Sequence, residues 1–309
     1  MKIAVLTDSS AYLTKEQQEK YQIDVLPIPI IWGKKVYHDL IDIGYEEFYQ
    51  KLSVEKELPT TSQPSIGDLK QKLDKYVANG YTDVIVITLS SGISSYFSTV
   101  QSIAEEEDRI KVHPFDSKIT CAGEADYAML AGRLVQTGAG VDLIMHDLKD
   151  LQKTMDVRFM VDDLSHLKRT GRLSNAASFV GTLFKIKPIL SMDVQAEGHI
   201  SAIAKERQTK RAYKHIQTDF DNLTKNMPYP IQATVFDSLD PEQKQAWLDD
   251  YRAKFPKYQF DTSIIGPVVG VHVGQGTMAV IWCRDLNTYF DGKGQPIKGI
   301  NSKEVVDPT

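Results

Sequence analysis

The first half of the chain alternates short apolar runs with longer segments of helical period. Ile3-Ala4-Val5-Leu6 gives way to Thr7-Asp8-Ser9-Ser10, which predicts a buried strand opening onto a polar loop. Asp83 to Leu89 is the clearest such run; it opens onto Ser90-Ser91-Gly92-Ile93-Ser94-Ser95, with a helix predicted through Glu107. Lys111 to Phe115 is another, ending in Asp116-Ser117. Ile23 to Trp32 is also apolar, but Pro27 and Pro29 cannot donate to a central ladder, so an edge or irregular strand is expected. Between these runs, Ile66, Leu69, Leu73, Tyr76 and Val77 keep a helix period that stops at Gly80, and Cys121 to Thr137 reads as a further helix. Strand and helix in alternation predict a parallel α/β sheet, in which ligands collect at the carboxyl ends of the strands.

The second half has a different pattern. Val157 to Val161 reads as a strand, and Ile186 to Met192 with His199 to Ala204 flank a turn at Ala196-Glu197-Gly198, the pattern of a hairpin. Helical stretches at Gln208 to Leu223 and Pro241 to Phe255 alternate with strands at Ile231 to Phe236, Phe260 to Ile265 and Met278 to Trp282. The fold class expected is therefore α/β in two parts. Residues 1–156 form a domain with a parallel sheet flanked by helices, and residues 157–283 an α/β domain with a mixed, partly antiparallel sheet. A polar, loosely packed tail is expected over 284–309, where glycine and proline accumulate.

A chain of 309 residues suits two domains better than one core, and 42% hydrophobic with 25% charged residues is an ordinary globular balance. A net charge of −5 without a long basic run argues against nucleic acid as a partner. Cys121 and Cys283 are far apart and in no metal-ligand spacing, which suits free thiols in a reducing compartment. The apolar run after Met1 is too short for a signal peptide and no stretch has the length of a membrane span, so a cytoplasmic protein is expected.

Among motifs, a phosphate-binding Gly-Lys-Ser/Thr loop, His-Glu-x-x-His and Cys-x-x-Cys are all missing from the sequence. Gly270-Val271-His272-Val273-Gly274-Gln275-Gly276 is glycine-rich without dinucleotide spacing, so no cofactor is expected. Gly92-Ile93-Ser94-Ser95-Tyr96 matches a hydrolase nucleophile elbow except that Tyr96 replaces the final glycine. The same segment can instead cap a helix or present hydroxyls and amides to an anion. Pro59-Thr60-Thr61-Ser62-Gln63-Pro64-Ser65 carries four hydroxyls within six residues and two prolines, a stiffened loop that is either a ligand platform or a plain helix cap at Ser65. His272 is either a satisfied edge histidine or a donor to an anionic group, neutral or protonated.

Six of these segments resemble, in order, the DegV family of fatty-acid-binding proteins. They are Thr7-Asp8-Ser9-Ser10, Thr61-Ser62-Gln63-Pro64-Ser65, Leu89-Ser90-Ser91-Gly92-Ile93-Ser94, Phe115-Asp116-Ser117-Lys118, His166 to Ser174 and Gly266 to His272, covering residues 1 to about 283. The resemblance implies a long-chain fatty acid such as palmitate in a buried tunnel, its carboxylate on Thr61, Ser62 and Ser94 with His272 nearby. It further implies a non-catalytic role, presenting the acid to an ATP-dependent fatty-acid kinase for acyl-phosphate formation in phospholipid synthesis. Arg172, with Lys168 and Arg169, would then serve partner contact or phosphate charge. A serine hydrolase using Ser94 and a module binding phosphorylated metabolites are the alternatives.

Overall fold

The structure, a computed structural model, describes residues 2–175 and 186–300. Its first strands and helices are β1 (Ile3–Asp8), α1 (Lys15–Tyr21), β2 (Ile23–Leu26), β3 (Pro29–Trp32), β4 (Lys35–His38), α2 (Tyr45–Val54) and β5 (Thr60–Thr61). There follow α3 (Ile66–Ala78), β6 (Asp83–Thr88), α4 (Tyr96–Glu106), β7 (Lys111–Asp116), α5 (Ala122–Gln136) and α6 (Val141–Gln152). Strands β2-β1-β6-β7 form a parallel sheet. Every residue of β1 and β6 is buried, which is why both read as unbroken apolar runs rather than as alternation.

The segment Ile23 to Trp32, read as one irregular strand, is two strands in two sheets. Strand β2 takes the edge of the parallel sheet, as expected for that segment. Strand β3 instead lies in the middle of a small antiparallel sheet, β4-β3-β5. Pro27 falls between the two strands, and Pro29 is tolerated as the first residue of β3. Thr61 pairs with Ile30, a fully buried residue, so Thr61 shares the inward face of this small sheet.

The second sheet is built from β8 (Asp156–Met160), β9 (Lys187–Met192), β10 (Ile200–Glu206), β11 (Ile231–Asp237), β12 (Gln259–Ile264) and β13 (Met278–Arg284). Its order is β10-β9-β8-β13-β11-β12, antiparallel except for the β11–β12 pair. The intervening helices are α7 (Ser165–Arg169), α8 (Thr209–Thr224), α9 (Pro241–Lys254) and α10 (Pro267–Val273). Strand β13 alternates between two apolar layers. Met278, Val280 and Trp282 pack outward with Phe220 and Tyr251, while Ala279, Ile281 and Cys283 pack inward with Ile85, Ile87 and α5. One core is thus continuous between the parallel and the mixed sheets.

The chain after Cys283 packs on the core through Tyr289 and again at Ile300, with 291–299 exposed or half-buried between. Leu286, Tyr289 and Ile300 are buried, and the wholly buried Arg284 lies between the rings of Tyr229 and Tyr289 and donates through Nε to Thr288. Burying that guanidinium requires partners: Asp150 of α6 supplies the carboxylate, and the following turn a hydroxyl and a ring. The rest of the expected tail, 301–309, lies outside the described residues.

The two sheets meet at backbone. Ser90 Oγ donates to Gly198 O at 2.9 Å, and His199 Nδ1 is 2.8 Å from Gly92 O, so the β9–β10 turn rests on the loop after β6. A Cβ on Gly92 would stand 2.6 and 2.7 Å from Gly198 C and O. Gly92→Ala should therefore lower unfolding stability by about 2 kcal/mol, whereas Gly44→Ala, with open space around it, should stay within about 0.5 kcal/mol. Thermal melts of both variants check this; equal effects would show that the contact yields freely.

Candidate functional site

The loops expected to carry chemistry converge where the small sheet, the loop after β6 and α10 meet. Ser65 accepts the Asp68 N–H and caps α3, which fixes the stiffened loop at its far end. Gln63 then ties that loop to α4: its Oε1 accepts from Ser95 Oγ at 3.0 Å, and its Nε2 donates to Thr99 Oγ1 at 3.0 Å. Ser94, just before the N-cap Ser95, accepts through Oγ the N–H of Tyr96, the first residue of α4, and its own proton stays free to donate elsewhere. The capping and donor readings of Ser94 are therefore compatible.

Helix α10 carries His272 to the same place. Its Val269 N–H is satisfied by Tyr12 Oη at 2.9 Å, and Gly270 lets α2 close on it. A Cβ there would stand 2.6 Å from Tyr49 Oη and 2.7 Å from Phe48. Close packing accounts for the glycine in this segment. His272 Nε2 lies 2.8 Å from Thr61 Oγ1, a contact between residues 211 positions apart. Its Nδ1 is buried and has no hydrogen-bond partner among the described residues. We assign the proton to Nε2, so that the ring donates to Thr61 and the Thr61 hydroxyl keeps its own proton for a ligand.

Burial, then the charges of Arg172 and Arg169, hold the His272 pKa down to about 3. That low pKa leaves the ring neutral at physiological pH. Arg169 donates to Pro59 O at 3.1 Å and to Val271 O at 3.3 Å, joining the Thr61 segment to α10. Arg172 donates through Nε to Ile93 O at 3.2 Å and through Nη1 to Thr170 O. Both arginines thus brace the site while leaving positive charge at its edge.

These residues enclose a cavity of about 320 Å³, lined at its polar end by Thr61, Ser62, Ser94, Arg172 and His272. Ser62 is exposed at the rim. Thr120, Ile200, Val269 and Val273 also line a narrower apolar cavity of about 40 Å³ that runs inward between the sheets, against Phe159, Met192, Phe236 and Ile281. The arrangement is a polar mouth leading to an apolar interior. No base reaches Ser94: its hydroxyl has no histidine or carboxylate partner among the described residues, and its φ is not in the strained positive region. No group of residues suited to holding a metal occurs among the described residues.

Sequence reasoning missed the acidic floor. Leu89 N–H and the Ser10 N–H and hydroxyl all reach Asp8, while Glu124 takes the Thr7 hydroxyl. The one Ser10 proton cannot serve both Asp8 and Glu124, each within 2.8 Å of its oxygen. Burial raises both pKa values, Glu124 the further, so Glu124 is the protonated partner. Asp39, also buried, accepts from Ser9, whose oxygen takes the N–H of the cavity residue Ile28. Nothing in the spacing of positions 8, 39 and 124 announces this cluster.

Comparison with known proteins gives a consistent result. The profile of the DegV family, described as "Uncharacterised protein, DegV family", matches residues 2–285. Protein DegV of Bacillus subtilis is 38% identical over 285 residues, spanning 92% of this chain and 99% of its own. A DegV domain-containing protein of Listeria innocua is 36% identical over 281 residues, 91% and 98% of the two chains. The crystal structure of Bacillus subtilis DegV, named a fatty acid binding protein, is similar with a TM-score of 0.85 at 37% identity, covering 92% of this chain and 100% of that one. A fatty acid binding DegV family protein from Streptococcus agalactiae gives 0.85 at 29% identity, covering 92% and 99%.

Burial pushes the Asp39 carboxyl up from 3.8 to about 7. The folded state holds that proton more tightly than the unfolded chain. Its contribution is complete below about pH 4 and is lost as pH rises through about 7. Asp39→Asn, which mimics the protonated form, should flatten the dependence of Tm on pH. Its advantage over the native chain should grow between about pH 5 and 8 by on the order of 1–3 kcal/mol. A pH-independent difference would show that Asp39 is ionised throughout.

Proposed function

This chain belongs to the DegV family, and on that premise we propose that it binds a long-chain fatty acid, carboxylate at the mouth and acyl chain in the interior. The observation that carries this reading is the junction of the Thr61, Ser94 and His272 cluster with a cavity that turns wholly apolar inward. Each buried methylene contributes about 0.8 kcal/mol, so a chain of palmitate length gains on the order of 12 kcal/mol before ordering costs. The polar end then needs only to avoid the penalty of an unpaired buried carboxylate. Thr61 and Ser94 each retain a proton to donate, Ser62 stands at the rim, and Arg172 supplies a nearby positive charge.

The role is binding and presentation rather than catalysis on Ser94. Ser94 and Arg172 line the cavity and also an outer groove formed by the segments Ser91–Ser95 and Gly171–Arg172. A carboxylate held there is within reach of a second protein. On this reading an ATP-dependent fatty-acid kinase phosphorylates the presented acid, in the cytoplasm, toward phospholipid synthesis. Arg172 then balances charge added to the carboxylate. Among the described residues no helix is long and apolar enough to cross a membrane.

Organic extraction of the purified protein followed by mass spectrometry should release a long-chain acid, and delipidated protein should take up palmitate. No acid released and none bound would end the proposal. Thr61→Ala and Ser94→Ala should each weaken binding by roughly tenfold, the cost of one hydrogen bond to a charged group. Unchanged affinity in both would remove them from the carboxylate site.

A further inference from the structure

Beyond the inner cavity lies a second, larger space that the proposed function does not use. A cleft of about 650 Å³ opens between α1, α5 and the β11–β12 edge, with Arg133, Lys244 and Gln259 among its lining. The inner cavity and the cleft approach each other through near neighbours in the chain. Cys121, Phe236 and Ile265 line the cavity, and Ala122, Thr234 and Ile264 line the cleft.

Tyr12 joins the two. Its ring lines the cleft, while its hydroxyl accepts the N–H of Val269, a residue of the inner cavity. The ring packs against Gly266 at the start of α10, where any Cβ would collide with it. Its backbone sits at φ 50° and ψ 37°, a left-handed conformation that a bulky side chain rarely adopts. The side chain is thus held by packing, by one hydrogen bond and by an unusual backbone, between the apolar inner cavity and the open cleft.

We propose that Tyr12 is the partition that limits the length of the bound chain, and that the cleft behind it is a latent exit for the far end of longer amphiphiles. The inference rests on the fatty-acid reading and deepens it: it assigns the length limit to one residue. A terminal methyl that passes Tyr12 enters a space of mixed walls, where Leu13, Met129 and Ile264 stand beside Arg133 and Lys244. A chain long enough to reach the cleft also gains room that the 40 Å³ inner cavity lacks.

The test is a length series of saturated acids, from about twelve to about twenty-two carbons, competed against a fluorescent fatty acid; each accommodated methylene should raise affinity by about fourfold. The native protein should follow that slope and then level off or fall. Tyr12→Phe keeps the ring and should keep the break point. Tyr12→Ala should extend the slope, raising the ratio of long-chain to palmitate affinity at least tenfold. Tyr12→Leu, which stays apolar and buried, should move the break point in the same direction and serves if the alanine variant does not fold. A native series without a break, or folded variants that share the native break point, would overturn the partition. Failure of the native protein to bind any acid of the series would instead overturn the fatty-acid reading itself.

Discussion

The site depends on how closely two backbones approach. The turn between β9 and β10 reaches the loop after β6 because Gly92 carries no side chain, and Ser90 and His199 bind the opposing carbonyls. That contact holds the carboxyl end of the parallel sheet against the mixed sheet, so that one apolar core runs between them. Gly270 does the same for α10 and α2. Where these surfaces do not quite close, the polar mouth and the apolar interior remain.

Electrostatics at the mouth suit the proposed anion without a fixed positive charge on the histidine. His272 is kept neutral by burial and by the two arginines that brace the surrounding loops. A neutral imidazole orients the Thr61 hydroxyl and leaves it a proton to give. Below the mouth, Asp8 is satisfied by backbone and hydroxyl donors rather than by a cation, and Glu124 holds the proton that lets the pair coexist. Negative charge is therefore confined beneath the floor, and hydroxyls and the Arg172 guanidinium line the opening.

The elements themselves were largely legible. Runs such as Asp83 to Leu89 are buried on both faces, and hydrophobic period alone marks them. The hairpin at Ala196-Glu197-Gly198 was legible from its turn, and its strands pair antiparallel as expected. The misreadings share a cause. Ile23 to Trp32 was one apolar segment by composition, and only pairing partners could divide it between two sheets. The stretch after Cys283 is polar by count, yet Arg284 draws it onto the core, because a buried guanidinium must find partners wherever the chain can bring them.

By itself, the sequence determined which segments are strands and helices, that hydroxyl-rich loops sit at strand ends, and through ordered motifs the family. Local periodicity, capping and turn chemistry suffice for that, since each involves residues a few positions apart. Only the tertiary structure decided that Thr61 meets His272, that no base among the described residues reaches Ser94, and that Asp8, Asp39 and Glu124 form one floor. It alone also placed Tyr12 between the inner cavity and the cleft. These relations join residues 30 to 257 positions apart, and loop closure on that scale leaves no local pattern to read.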